Sequence, residues 1–354
     1  MQSLLDLYTD YLIGSNSQVS CTALSGVLNH KIPHDSFTRL LSSGKLNSRY
    51  LWHTAKPICK EISSDAAVLI LDDSVEAKPH SRLSSLINYH FDHTVGKSVK
   101  GVNFLSALYY SQEVSIPVGV KFVIKDEAYK ENGKTKFKSS VSKNEHFRAL
   151  IQEAVKNELR FRYVLNDSWF CNAENMKFIQ YETESYFVMA MKGNRKVALS
   201  LADKQAGKYI DIKEAVIEGC VQRVYIEQLE FPILITKQVF KNGDGSTGTL
   251  YLCSNDLNLS YEQMTTIYKK RWKVEEYHKS IKSNCSFAKS PASSLVAQQA
   301  HFMACLMAFI KMEQLKIINN KNHFALKRLI TINATKSAME RLNIFYSINV
   351  KKTA

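Results

Sequence analysis

The residues best suited to chemistry concentrate in the run Tyr268-Lys-Lys-Arg271-Trp-Lys-Val-Glu275-Glu-Tyr-His-Lys-Ser-Ile-Lys282. At about 100° per residue, Tyr268, Arg271, Glu275 and Lys282 fall within roughly 60° of one another on a helix, whereas Glu276 lies about 100° from Glu275. One stripe thus sets a carboxylate among two cations and a phenol. Ile267, Val274 and Ile281 recur at heptad spacing on an adjoining stripe, which would bury against a core and hold the polar stripe at its edge. A carboxylate flanked by Arg and Lys suits metal-assisted attack on a phosphodiester: the acid holds the cation and the basic groups hold phosphate oxygens. The same spacing also serves a solvated helix with Lys and Glu at i, i+4, so the other elements must decide.

Those elements supply further acids. The continuous apolar run from Ala66 to Leu71 reads as a buried strand that ends in Asp72-Asp73-Ser74. Strand-like runs follow at Val102 to Tyr110 and Ile116 to Ile124. A helix spans Ser140 to Leu159, with Phe147, Leu150, Ile151, Ala154 and Val155 on one face. A short strand, Tyr163 to Leu165, leads into Asn166-Asp167-Ser168; a helix, Ala173 to Tyr181, and a strand, Tyr186 to Met191, come next. Three strands, helix, strand, helix, strand is the order of an RNase H-like α/β fold, in which the first and fourth strands are neighbours. Asp72 and Asp167 would then stand at adjacent strand ends, where ligands converge in open α/β sheets. Side chains alternate along a strand, so only one of Asp72 and Asp73 can face that site. Asp167 has no rival, since Asn166 lacks charge and Glu174 lies on a helix, although Asp167 could also serve as a helix N-cap.

Composition narrows the partners. The chain has 354 residues, 45% of them hydrophobic, enough for two or three domains, and 47 Lys plus Arg against 33 Asp plus Glu give a net charge of +14. An excess spread along the whole chain points to nucleic acid. Seven scattered cysteines without a C-x-x-C pair fit a reduced, cytoplasmic interior, and the N-terminus lacks the pattern of a signal peptide. The apolar stretch Leu295 to Ile310 carries Gln298, Gln299 and His301, so it is expected to be a buried helix and not a membrane span. His90-Phe-Asp92-His93 invites a zinc reading but lacks a second ligand pair at partner spacing.

Outside the acid-bearing region the character changes. Residues 221 to 252 read as β, with Asn242-Gly-Asp-Gly245 as a hairpin signal. Gly193-Asn-Arg195-Lys196 follows a strand and suits either a phosphate contact or a hairpin turn. Thr22 to Leu28 and Ser36 to Leu41 read as two helices joined by a turn, with Lys45, Arg49 and Lys56 nearby; a helix-turn-helix that grips DNA and a plain packing subdomain both fit. The basic tail from Asn319 could dimerise or bind DNA.

The spacing Tyr, two residues, Arg, three, Glu, six, Lys, with Arg-Trp and Glu-Glu-Tyr-His-Lys inside it, resembles the signature helix of cut-and-paste DDE transposases of the insertion-sequence-four type. Asp72-Asp73-Ser74 is similar to that family's first motif with Asp72 as the acid, and Asp167-Ser168-Trp169-Phe170 is similar to its second. The segment from His90 to Asn103 also looks family-like. The resemblance implies an RNase H-like catalytic domain (61–192 and 254–312) interrupted by a β-rich insertion (193–253), with a helical DNA-binding region (1–60) and a helical basic tail (313–354). It further implies that Asp72, Asp167 and Glu275 hold two Mg²⁺ or Mn²⁺ ions, while Tyr268, Arg271, Lys279, Lys282 and Arg195 contact phosphates. The implied partners are double-stranded DNA, as transposon terminal repeats and as target, and a second copy of the chain in the active complex, working at the nucleoid. One departure stands out: members that form a hairpin at the transposon end use a tryptophan of the β insertion to hold a flipped base, and Trp52, Trp169 and Trp272 all lie outside it. Tyr209, Tyr225, Phe231, Phe240 or Tyr251 would have to stack instead. Two rival readings stay open, a nuclease on the same fold that cuts without joining and a DNA-binding protein derived from a transposase.

Overall fold

A computed structural model describes residues 3–92, 95–216, 218–241 and 243–350. The chain forms two compact units, one of Met1–Thr54 with His278–Ala354 and one of Ala55–Tyr277.

The chain begins with helices. α1 (Leu4–Gly14) opens at a capping box in which the Ser3 hydroxyl accepts from the Asp6 amide and the Asp6 carboxylate accepts from the Ser3 amide. α2 (Cys21–Val27) and α3 (His34–Ser42) are joined by residues 28–33, where Asn29 and His30 take positive φ. That turn is longer than the roughly three or four residues usual in a helix-turn-helix. α4 (Ser48–Glu61) leads into the second unit.

There β1 (Val68–Ala77), β2 (Asn88–Asp92), β3 (Lys97–Ser111), β4 (Val114–Phe122), the hairpin strands β5 (Glu127–Glu131) and β6 (Lys134–Lys138), and α5 (Lys143–Lys156) follow in turn. β7 (Tyr163–Asn166), α6 (Ala173–Glu182), β8 (Tyr186–Met191), β9 (Lys196–Val197), α7 (Leu201–Gln205), β10 (Ile210–Asp211) and α8 (Ile212–Ala215) come next. β11 (Val221–Val224), β12 (Ile233–Lys241) and β13 (Thr247–Ser254) precede α9 (Tyr261–Lys269) and α10 (Trp272–Asn284), and α11 (Leu295–Asn319) and α12 (His323–Val350) close the chain.

One mixed sheet organises the unit, in the order β11-β12-β13-β8-β7-β1-β3-β2, with β4 also on β3. β1, β7 and β8 run parallel and the other pairs are antiparallel. The expected order of three strands, helix, strand, helix, strand is present as β1, β3, β4, α5, β7, α6 and β8. β2 and the β5–β6 hairpin are additions, and β11 to β13 extend the sheet beyond β8. The hairpin signal expected at Asn242 falls between β12 and β13; Asn242 itself lies outside the described residues, as does His93. α5 buries Phe147, Leu150, Ile151 and Ala154, whereas Val155, expected on the same face, is exposed.

One expectation is corrected. β1 does not stop at Leu71; it continues through the acids to Ala77, because the long β3 pairs with it from Val68↔Tyr110 to Ala77↔Gly101. Gly101 is what lets the two strands meet there. A Cβ at this position would stand 2.1 Å from the Glu76 carbonyl oxygen.

In the helical unit α11 is the core element. The Tyr8 hydroxyl meets His301 Nδ1 at 2.9 Å, and His301 Nε2 faces the Ser286 and Phe287 carbonyls at 3.2 Å. Glu313 is buried against His323 Nε2 at 3.0 Å, and the Ser280 hydroxyl meets His323 Nδ1 at 2.8 Å. α11 is long and apolar enough to cross a membrane, but most of it is buried in the protein. All seven cysteines are free; Cys171 and Cys253 touch at 3.7 Å.

Because backbone oxygen cannot yield as a side chain can, Gly101→Ala is expected to destabilise the protein by about 2 kcal/mol or more. A thermal melt followed by circular dichroism checks it; a midpoint equal to that of the wild type would show that β1 and β3 are not in such close contact.

Candidate active site

β1 and β7 are paired only over Val68–Ile70 and Tyr163–Leu165. Extending the register by two residues sets Asp72 level with Asp167, whose charge acts on Asp72. At that level β7 has ended and β1 runs on, held by β3 alone, so the edge of β1 facing β7 is open where the two acids stand.

Alternation then separates the neighbours. Asp72 lies opposite Ser106 on β3, whose hydroxyl meets the Tyr277 hydroxyl of α10 at 3.3 Å, so this face of the sheet is the one toward α10. Asp73 points to the α5 face, where Lys143 Nζ reaches its carboxylate at 2.5 Å and the Asn103 amide donates at 3.4 Å. Lys143 also stands 5.3 Å from the centre of the Trp169 ring.

Arg271 ties the acids together. Its Nη2 donates to Glu275 Oε1 at 2.6 Å and its Nη1 lies 3.9 Å from Asp72 Oδ2. Its buried Nε has no protein partner, so the guanidinium keeps an unspent donor. Tyr268 is buried behind it, with its ring centre 5.7 Å from the guanidinium carbon. Burial raises the Tyr268 phenol, and the Asp167 and Asp72 charges add to the rise while Arg271 opposes it. Asp167 accepts from the Trp169 amide at 3.0 Å.

The electrostatics follow from this crowding. Asp72 is pushed up to about 8, first by burial, then by the Asp167 and Asp73 charges, with Arg271 and the Asp73 amide pulling the other way. Asp167 is raised too, chiefly by burial. Burial works against the charge on Arg271, but Tyr268, Glu275 and Asp72 outweigh it. A group of carboxylates that cannot all ionise unaided offers hard oxygen donors of the kind Mg²⁺ and Mn²⁺ take, so the residues fit such an ion. Among the described residues no three His, Cys, Asp or Glu side chains surround a single point ready for a metal; Glu275 is turned to Arg271 instead.

The expectation of one regular helix from Tyr268 to Lys282 is corrected. α9 ends at Lys269 and α10 begins at Trp272. The joint is wound by i→i+3 hydrogen bonds, from the amides of Lys270, Arg271, Lys273 and Val274 to Ile267, Tyr268, Lys270 and Arg271 respectively. Val274 and Ile281 are fully buried, while Ile267 is only partly so. Glu276 is paired with Lys273 at 3.1 Å, away from the acids. Lys279 and Lys282 belong to the helical unit, where Lys279 stands over the Phe324 ring at 5.3 Å. Arg195 donates to the Cys171 carbonyl at 2.8 Å. His90, from the motif that invited zinc, is buried on β2 with its Nε2 unpartnered. Sequence reasoning missed Lys143, whose partner Asp73 lies 70 positions away and sends no local signal.

Residues 1–208 match the family of the DDE superfamily endonucleases, and residues 135–311 match the transposase DDE domain. The first match contains Asp72 and Asp167, the second Asp167 and Glu275. The chain belongs to the DDE superfamily. Membership in this superfamily of transposases and endonucleases makes the protein a nuclease-class enzyme with DNA as its substrate. No curated protein matches the DDE chain. Among solved structures, the crystal structure of the NurA nuclease from Sulfolobus solfataricus is similar at 9% identity, over 83% of this DDE chain and 92% of that one, with a TM-score of 0.28. So distant a likeness carries no argument.

Asp72 and Asp73 should answer the same substitution with opposite signs. A carboxyl raised in the folded state binds more protons there than in the unfolded chain, so stability falls as pH rises from about 4 to about 8. In EDTA at pH 7, Asp72→Asn is expected to gain on the order of 1 kcal/mol or more, while Asp73→Asn, which strips Lys143 of its partner, loses stability. Thermal midpoints across pH check this, and a loss for Asp72→Asn would contradict the crowding described.

Proposed function

We propose that the protein is a DNA transposase of the insertion-sequence-four type, with an RNase H-like catalytic fold. It cuts phosphodiester bonds at the ends of its element and joins the 3′-hydroxyls to target DNA. The observation that carries the reading is the placement of Asp72 level with Asp167 where β1 and β7 part, with Arg271 reaching from Asp72 to Glu275. In this reading residues 1–60 bind DNA, 61–192 with 254–312 catalyse, 193–253 form the β-rich insertion and 313–354 a basic tail. The active complex is a homodimer on double-stranded DNA at the nucleoid.

Asp72, Asp167 and Glu275 would hold two Mg²⁺ or Mn²⁺ ions, which when bound activate the nucleophile and stabilise the leaving oxygen. The remaining work falls to the chain's own residues. Arg271 exchanges Glu275 for a phosphate of the bound strand, since a forked guanidinium can hold two phosphate oxygens as well as it holds a carboxylate. Glu275 is thereby released toward Asp72 and Asp167 as substrate arrives. Tyr268 keeps the guanidinium in place by packing against it. Lys282, Lys279 and Arg195 neutralise neighbouring phosphates, Arg195 after leaving the Cys171 carbonyl. In the first step water attacks the scissile phosphorus and the 3′-oxygen leaves with a proton. In the second, that 3′-hydroxyl attacks a target phosphorus and displaces a 3′-oxygen there, the same in-line substitution with a different nucleophile.

The test incubates purified protein with its flanking terminal repeats and Mg²⁺ and scores cleaved and joined strands. Asp72→Ala, Asp167→Ala and Glu275→Ala are each expected to lower cleavage at least about a hundredfold while end binding is largely kept. Glu276→Ala should stay active and Arg271→Lys should be defective. Full cleavage by Glu275→Ala would overturn the assignment; cleavage without joined product would favour the nuclease.

A further inference from the structure

A second feature of the α/β unit lies on β2, β3 and the β5–β6 hairpin. It is a groove of about 940 Å³ whose lining includes Tyr89, Tyr129, Phe137, Lys125, Lys136 and Ser98. Three aromatic rings are open to solvent there: Tyr89 at 52%, Phe137 at 47% and Tyr129 at 38%. Lys125 is anchored against the wall, donating to the Tyr89 carbonyl at 2.6 Å, and burial lowers its ammonium. The acids of this hairpin are engaged within it. Asp126 accepts from the Ser140 amide and hydroxyl, Glu131 pairs with Lys136, and Glu127 pairs with Lys138. The groove therefore presents three rings and the ammonium of Lys125, while Lys136 and the carboxylates are internally held.

The strand register links this groove to the acids. Ser106 stands opposite Asp72 and Lys100 opposite Tyr89, and Ser106 and Lys100 are six residues apart on β3, so all four share one face of the sheet. Along β3 the interval is ~20 Å.

We propose that this groove binds unpaired nucleotides of the DNA strand that passes through the candidate active site. Rings exposed in a concave site can stack on bases, which in a duplex are already stacked on one another. Lys125 at the rim meets a phosphate, and Ser98 and its neighbours offer hydroxyls to base edges. An apolar protein segment would use the rings but leave Lys125, whose partner is the neutral Tyr89 carbonyl, without counter-charge. The proposal rests on the reading of Asp72 as part of the DNA-cleaving site.

The full-length protein in EDTA is titrated into a fluorescein-labelled oligothymidylate of about twelve nucleotides and read by anisotropy. A blunt duplex of the same length is titrated alongside. The wild type is expected to bind the single strand, and Tyr89→Ala with Phe137→Ala to weaken that binding at least about tenfold while duplex affinity moves less than about twofold. Tyr89→Phe with Phe137→Tyr, which keeps both rings, should bind like the wild type, and thermal melts confirm that each variant folds. No binding by the wild type, undiminished binding by the alanine pair, or an equal loss on the duplex overturns the proposal. Asp72→Ala separates the two readings: if it still cleaves DNA the catalytic assignment fails, whereas the ring variants report on the groove alone.

Discussion

Everything in the candidate site turns on negative charge crowded where water is scarce. Burial, with the Asp167 and Asp73 charges adding to it, raises Asp72 to about 8, and Arg271 reaches across to Asp72 and Glu275. Such a cluster is poor material for stability, since buried acids favour folding only when they are paired or neutral. In the function proposed, its presence in the middle of a core strand serves chemistry on a substrate that is itself an anion. The surrounding fold accordingly spends strong elements on holding it: β1 paired with β3 over its whole length, and β7 ending where the acids need room.

Much of this was legible in the sequence. The run from Ala66 to Leu71 announces a buried strand, and Tyr163 to Leu165 a second, because continuous apolar residues too few for a helix have few other uses. Alternation separated Asp72 from Asp73, and helical phase separated Glu275 from Glu276. In the structure Asp73 pairs with Lys143 and Glu276 with Lys273, both away from Arg271. What stayed hidden was long-range. The continuation of β1 past Leu71 depends on β3, some thirty positions away, with which it pairs residue by residue. β2 is five residues long and its alternation runs the wrong way round, with Tyr89 and Phe91 exposed and His90 buried, so its apolar residues do not mark the face that packs inward. The break between α9 and α10 is equally silent, since Lys269 to Lys273 contains no Gly or Pro to punctuate it.

The family match and the geometry meet at different levels. The two matched segments overlap at residues 135–208, so Asp167 lies within both. Residue roles, by contrast, come from contacts: Arg271 is bonded to Glu275, Tyr268 is buried behind it, and Arg195 is engaged with a backbone carbonyl. A phosphate that competes for Arg271 meets a side chain that already has a carboxylate partner and one free donor. Glu275 is thus paired with Arg271, while Asp72 and Asp167 stay crowded.

The overwound joint before α10 has its own consequence. A residue in a three-per-turn helix advances by ~120°, against ~100° in an α-helix, so each tightly wound residue adds ~20° of twist. Over the few residues around Arg271 this amounts to some tens of degrees. The direction of Glu275 is therefore a torsional setting, fixed by how tightly the peptide just ahead of it is coiled. Relaxing that short stretch into a regular helix would rotate Glu275 relative to α9 without altering a single side chain.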